Sequence, residues 1–422
     1  MTPIRKLLFS LFLIGTFCAQ ATNQFYTQSL TPQIKTLRIV DVEDGTSLMR
    51  PVLTLGDEGR LEISFDELSH DPHYYSYTLV HCNADWTPSD LQSLEYLQGF
   101  TSLDVQDFQQ SVNTTQIYTH YRFEIPNDDM QLKLSGNYAV VVYEDGDKDR
   151  VVATACFSVV EPMATINARV HANTMLEIKG RYQQVDVDVT VNQASSQLAA
   201  ETKLVVRQNN RLDNMAHDVK PTYVGGNQLL YSNTRALVFE GGNEYRRFDL
   251  SSLYLLGPGV ERIDYDHTYY HALLTPSVLK GVQPYTGDDD VHGQFLINAE
   301  RVMDDDVEAD YVWVHFFLSQ DAPYFDGKMY VGGEFTHNML NASNQLMYDN
   351  DQRGYVYSAL LKQGGYNYQY WFVPKGRTAA TLFSTEGSYW QTRNEYSIYL
   401  YYRPFGQRYD RLIGYKSLLS HP

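Results

Sequence analysis

The 422-residue chain carries 33 basic and 51 acidic residues, a formal charge of -18, and 43% apolar residues with 14% aromatics, including 34 tyrosines. So acidic a balance excludes a phosphate-backbone partner, which needs a basic stripe, and it disfavours adhesion to anionic lipid. Three cysteines exclude a zinc site built on paired CxxC motifs.

In chain order, residues 1–21 read as a secretory signal. Arg5 and Lys6 carry the charge, Leu7 to Phe17 form an eleven-residue apolar core, and Ala19, Gln20 and Ala21 give a small-x-small cleavage site. Cleavage starts the mature chain at Thr22; it removes two basic and no acidic residues, taking the charge from -18 to -20. No stretch reaches the roughly 20 apolar residues of a membrane-spanning helix. Phe17 stands directly before Cys18, where a lipobox calls for a small residue, so no lipidation is expected. The product is expected to be soluble or peripheral in an oxidising compartment, the periplasm.

The mature chain then alternates apolar and polar residues almost throughout, the period-2 pattern of strands. Tyr74 to Val80 is a strand ending at Cys82. After Trp86 a helix is predicted, with Thr87 as cap, Pro88 in the first turn, Leu91, Leu94 and Leu97 facing inward, and Gly99 as its end. Tyr138 to Tyr143 (YAVVVY) is apolar on both faces and reads as a central strand, followed by an EDGDK turn and a strand from Thr154 to Val160. In an immunoglobulin-like order Cys82 and Cys156 flank the YAVVVY strand. Two strand spacings are about 9.6 Å, beyond the roughly 7 Å Cα limit of a disulfide, so no bridge is expected.

Pro162 ends the first unit, because proline blocks further pairing. Arg181 to Asn192 puts Val185, Val187, Val189 and Val191 on one face and polar residues on the other. Glycine-rich GGN turns follow at Gly225 and Gly241, then an acidic break at Arg301 to Glu308. Asp310 to Leu318 (DYVWVHFFL) and Ser397 to Tyr402 (SIYLYY) are again apolar on both faces. The fold class is therefore all-β, as tandem immunoglobulin-like or early-set β-sandwich domains, with units at 22–161, 162–301 and 302–422.

Catalytic signatures are missing: the chain contains no GxSxG, HExxH, GxxxxGK[ST] or GxGxxG. Asp145, Asp147 and Asp149 have calcium-loop spacing, yet position six is Arg150 instead of glycine and position twelve is Cys156 instead of glutamate. They read as a solvated hairpin turn, and the acidic triplets at 288–290 and 304–306 read the same way. His315, within an apolar strand, reads as a satisfied core residue. No catalytic residue, metal ligand, cofactor or small-molecule substrate is expected.

Several stretches resemble the plug family of the type IX secretion system. They are His81 to Trp86 (HCNADW), Ser111 to Thr114, Tyr118 to Tyr121, Ser135 to Tyr138, Gln208 to Arg211, Gly241 to Tyr245, Leu361 to Tyr368 and Tyr401 to Tyr415 (YYRPFGQRYDRLIGY). The resemblance implies a protein that associates with a large outer-membrane translocon barrel and closes its periplasmic opening. Interface anchors are commonly aromatics and arginines. The candidate partner-binding residues are accordingly Asp85 and Trp86 in the first unit and Arg403, Arg408, Asp410 and Arg411 near the carboxyl end. The same polar signatures would serve equally well to fix sandwich corners through buried hydrogen bonds and ion pairs. The third unit also resembles the early-set sandwich of glycogen-binding modules, which leaves a glycan-binding protein as the alternative. The expected indole platform after Phe335 is missing, and Trp371 and Trp390 are its possible substitutes. A small outer-membrane barrel fits poorly with charged strand faces and an end at His421 and Pro422.

Overall fold

The computed structural model describes residues 24–43, 51–192, 195, 197–281 and 283–420. The secretory signal, Cys18 and Thr22 lie outside the described residues. The all-β expectation holds: strands dominate, and the helices within the described residues are single turns.

The first sandwich packs two sheets. One runs Gln28–Ser29, Val151–Val160, Gly136–Glu144, Tyr75–Cys82, Ser102–Asp104; the other runs Ile34–Asp41, Leu61–Glu67, Thr119–Ile125, Asp107–Gln110. Alternate residues from both meet in its core: Tyr138, Val140 and Val142 from one, Leu61, Ile63 and Phe65 from the other. Ala139 and Val141 point the opposite way and are buried too, which explains a strand apolar on both faces. Cys82 pairs with Asn137 and Cys156 with Ala139 on either side of the Gly136–Glu144 strand, and both thiols are free.

Here the predicted helix is a correction. Only Ser93–Tyr96 is helical, one turn with a capping box between Gln92 and Glu95. Thr87 to Ser89 stay extended against the preceding strand, since the Ser89 amide donates to the His81 carbonyl at 2.8 Å and Pro88 bridges to Cys82. Leu94 faces solvent, and Leu97 begins a strand, Leu97–Gly99, that pairs with Met130–Leu132. Gly99 sits at φ +97°, where a Cβ would lie 2.1 Å from the Asp129 carbonyl oxygen. A short strand closing over the core has won against a three-turn helical pattern.

The second sandwich departs from the expected boundaries. One sheet is Ala164–His171, Tyr182–Val191, Gln228–Tyr231, Tyr223–Gly225, with Val238–Glu240 also on Tyr182–Val191; its partner is Ala216–Val219, Thr202–Gln208, Glu395–Tyr402, Arg411–Leu419. The last two strands of the chain thus complete the middle domain, and its core joins Val185, Val187 and Val189 to Tyr396, Ile398 and Leu400.

The third sandwich is inserted between them. Arg246–Asp249, Gly364–Pro374 and Phe295–Ile297 form one sheet, with Gly327–Gly332 on the same long strand; Val260–Tyr265, Tyr270–Leu274, Tyr311–Ser319, Gly354–Lys362 and Met347–Asp349 form the other. Its core reaches from Phe248 to Phe372. A boundary at residue 301 would cut this core. The acidic break proposed there is a capped turn, in which the Asp304 carboxylate accepts from the Asp306 amide. That turn docks on the first sandwich.

Three junctions join the sandwiches. First meets third around Asp66: its carboxylate accepts from Lys362 Nζ at 2.7 Å and Tyr311 Oη at 2.7 Å, and lies 2.6 Å from His120 Nδ1. Lys362 also donates to the Asp306 carbonyl at 2.7 Å, and Arg38 pairs with the Asp306 carboxylate at 2.5 Å. Burial alone would raise the Asp66 pKa; Lys362 and His120 outweigh it and hold the carboxyl down at about 2. Second meets third around Arg211, which pairs with Asp213 at 2.7 Å and stacks on Trp371 at 4.4 Å. The first–second junction is described next.

Candidate partner-binding site

The two loops singled out by sequence come together although they are more than 300 residues apart. Asn83 to Trp86 forms the turn at the end of the Tyr75–Cys82 strand, with Trp86 at φ +65°. Arg403 to Asp410 is the connection between Glu395–Tyr402 and Arg411–Leu419. The sheets place both loops on one seam because the chain runs unbroken across it: Glu161 donates to the Leu412 carbonyl and Met163 to the Ile413 carbonyl, each at 2.9 Å.

Asp410 is the hub. Its buried carboxylate accepts from the Ala84 amide at 3.0 Å and from Lys203 Nζ at 3.0 Å. Arg403 Nε lies 2.9 Å from the other carboxylate oxygen. That approach is an ion contact without hydrogen-bond alignment, since neither atom completes a hydrogen bond. Arg403 instead donates from Nη2 to Asn83 Oδ1. Arg411 pairs with Glu161 at 2.6 Å, and Arg408 reaches the Asp90 carbonyl at 3.1 Å and the Glu95 carboxylate.

Trp86 is buried, with the Arg207 guanidinium 5.8 Å from its ring. Asp85 is exposed. Burial would raise its pKa, but hydrogen bonds from the Thr87 hydroxyl and amide prevail and hold the carboxyl below its usual range. His81 lies beneath the seam, edge-on to Tyr409 at 5.2 Å, its Nε2 donating to the Ser135 carbonyl at 3.2 Å. Burial lowers its pKa to about 4, so the ring is neutral.

Of the six candidates, then, Trp86 and Asp410 lie inside the seam, in contact across it with the second and first sandwich respectively. Arg403 and Arg411 are part-buried there. Asp85 and Arg408 reach the surface, joined by Phe405 at the loop tip, which is 96% exposed. Sequence reading missed Lys203, Arg207 and Phe405. In the Thr202–Gln208 strand Lys203, Val205 and Arg207 alternate with the core residues Leu204 and Val206, a signature of a solvent face; here the first sandwich covers Val205 and Arg207 and leaves Lys203 exposed. Beneath the seam His81 Nδ1 lies 2.9 Å from the Ser89 hydroxyl, and among the described residues no three metal-ligating side chains converge. Trp371 is fully buried under Arg211, so it offers no sugar-stacking platform.

Comparison with known proteins agrees with this architecture. Residues 34–161, the first sandwich, match the family model described as the Type 9 secretion system plug protein 1st domain. A crystal structure of a hypothetical protein from Parabacteroides merdae ATCC 43184 is similar over 94% of this chain and 100% of its own, at 42% identity and a TM-score of 0.92. The likeness to the Pseudomonas fluorescens alkylpurine DNA glycosylase AlkC, 14% identical over 30% of each chain with a TM-score of 0.16, carries no argument. No curated protein matches. The chain belongs to the type IX secretion system plug family.

Proposed function

We propose that this chain is a non-catalytic component of the type IX secretion system, seated in the periplasmic opening of the outer-membrane translocon barrel and closing it when no cargo is in transit. The observation that carries the reading is the family membership of a chain whose three sandwiches are tied to one another through buried polar junctions. An obstruction must resist deformation, and packed sheets joined by buried ion pairs do so better than domains on linkers. Within the described residues no helix is long and apolar enough to cross a membrane, in keeping with a peripheral protein held by protein contacts.

The exposed side chains Asp85, Phe405 and Arg408 are the proposed contacts. Plug and cargo would compete for one state of the pore, and a few kcal/mol of preferential cargo interaction would suffice to displace the plug. Affinity purification of the tagged protein from detergent-solubilised outer membranes tests the reading. A very large barrel in the eluate is expected; an eluate without one overturns the assignment.

A further inference from the structure

Where the three sandwiches meet, the structure forms a partly open cavity of about 90 Å3. The first sandwich lends it Arg38 and Trp86, the second Arg207, and the third Glu334, His337 and Asn338. Trp86 and Arg207 are each 8% exposed and Asn338 is 4% exposed. Four side-chain atoms on this wall are buried without a hydrogen-bond partner: Trp86 Nε1, Arg207 Nε, Arg38 Nε and Asn338 Oδ1. Buried polar atoms are nearly always paired. Four unpaired ones on one small cavity, contributed by three domains, point to something that pairs with them.

Their chemistry narrows what it is. Three are N–H donors and one is an acceptor. Arg38 is balanced by Asp306 at 2.5 Å. Arg207 donates to Asn210 Oδ1 at 3.3 Å and lies over the Trp86 and Tyr399 rings, and no described ion pair gives it a carboxylate. Of the other charged or titratable groups, Glu334 faces the Phe295 amide at 3.4 Å, and burial keeps His337 neutral by lowering its pKa to about 4. With Arg38 held by Asp306, Arg207 is the guanidinium of the wall that no described ion pair balances, and the three N–H donors outnumber the one acceptor. About 10–15 Å3 of such space suffices for one water, so 90 Å3 admits a group the size of a tetrahedral oxyanion.

We propose that this cavity is a binding site for a small hydroxylated oxyanion of the hydrogen phosphate type, whose occupancy fastens the three sandwiches together. Its unprotonated oxygens accept from Trp86, Arg207 and Arg38, and its O–H donates to Asn338 Oδ1. The assignment is independent of whether the protein closes a translocon.

Thermal unfolding and calorimetric titration of the mature protein test it, with sodium phosphate, sodium acetate and sodium chloride compared at equal ionic strength. Phosphate should raise the melting temperature along a one-site saturation curve, and acetate, which has no O–H at neutral pH, should act more weakly. Trp86→Phe keeps the ring and removes one donor, so phosphate affinity should fall about tenfold. Asn338→Asp puts a carboxylate beside the guanidiniums. It should abolish the phosphate response while raising the melting temperature in chloride. Phosphate acting no better than chloride on the wild type would overturn the proposal, as would wild-type phosphate responses in both variants. So would crystals grown in phosphate that show ordered water only between Arg207 and Trp86.

Discussion

His81 shows how burial at a domain seam becomes pH dependence. An unfolded imidazole titrates near 6.5, and in the fold His81 titrates at about 4. Below pH 6.5 the unfolded chain takes up a proton that the folded chain refuses, so the contribution is complete above 6.5 and is lost as pH falls toward 4. By pH 5 the loss amounts to about 2 kcal/mol, and His337 adds to it with the same sign. The melting temperature should therefore drop between pH 7 and pH 5, with a shallower slope in His81→Gln; equal slopes would contradict the assignment. Asp410 makes a second test at this scale. Asp410→Asn leaves an acceptor for Ala84 but cancels the charge facing Lys203 and Arg403. Because those two cations are partly exposed, urea denaturation should show a loss of roughly 1–3 kcal/mol, below the cost of breaking a fully buried pair. The HCNADW and YDR signatures were legible as special, but not whether they faced a partner or each other. Trp86 and Asp410 carry residue types common to both roles, and only the fold shows that both are buried where the first and second sandwiches meet.

Individual elements were the most legible level, for a definite reason. Val185 to Val191 and Tyr138 to Tyr143 are long runs with one period, and every valine of the first run is buried as expected. The helix after Trp86 failed because Leu91, Leu94 and Leu97 match a helical face equally well whether or not residues 87–89 can leave the neighbouring strand. The boundary at 301 failed because strand pairing across the chain leaves no local mark: Ser397 to Tyr402 is apolar on both faces in any sandwich, and its partner Thr202–Gln208 lies nearly 200 residues earlier. Fragment behaviour distinguishes the two layouts. A 302–422 fragment should stay unfolded by circular dichroism and amide dispersion, since it lacks Arg246–Asp249 and Thr202–Gln208. A 244–391 fragment retains a complete core and should fold. A folded 302–422 fragment would overturn the insertion.

The whole molecule depends on junctions that no stretch of sequence displays. Asp66 and Lys362 are 296 residues apart and meet with both side chains 1% exposed. Lys362→Met strands the Asp66 carboxylate and should cost about 3–5 kcal/mol. Asp66→Asn added to it should recover much of that loss, and small-angle scattering should report a looser first sandwich in the single variant only. A stiff three-domain body of this family is the basis for the proposed obstruction of a pore, and a deletion strain tests that most directly. Uptake of a dye or bulky antibiotic across the outer membrane should be measured with barrel abundance in parallel. The account predicts increased entry through a barrel present at normal levels, with cargo export continuing at least in part. Unchanged permeability at normal barrel levels would contradict it.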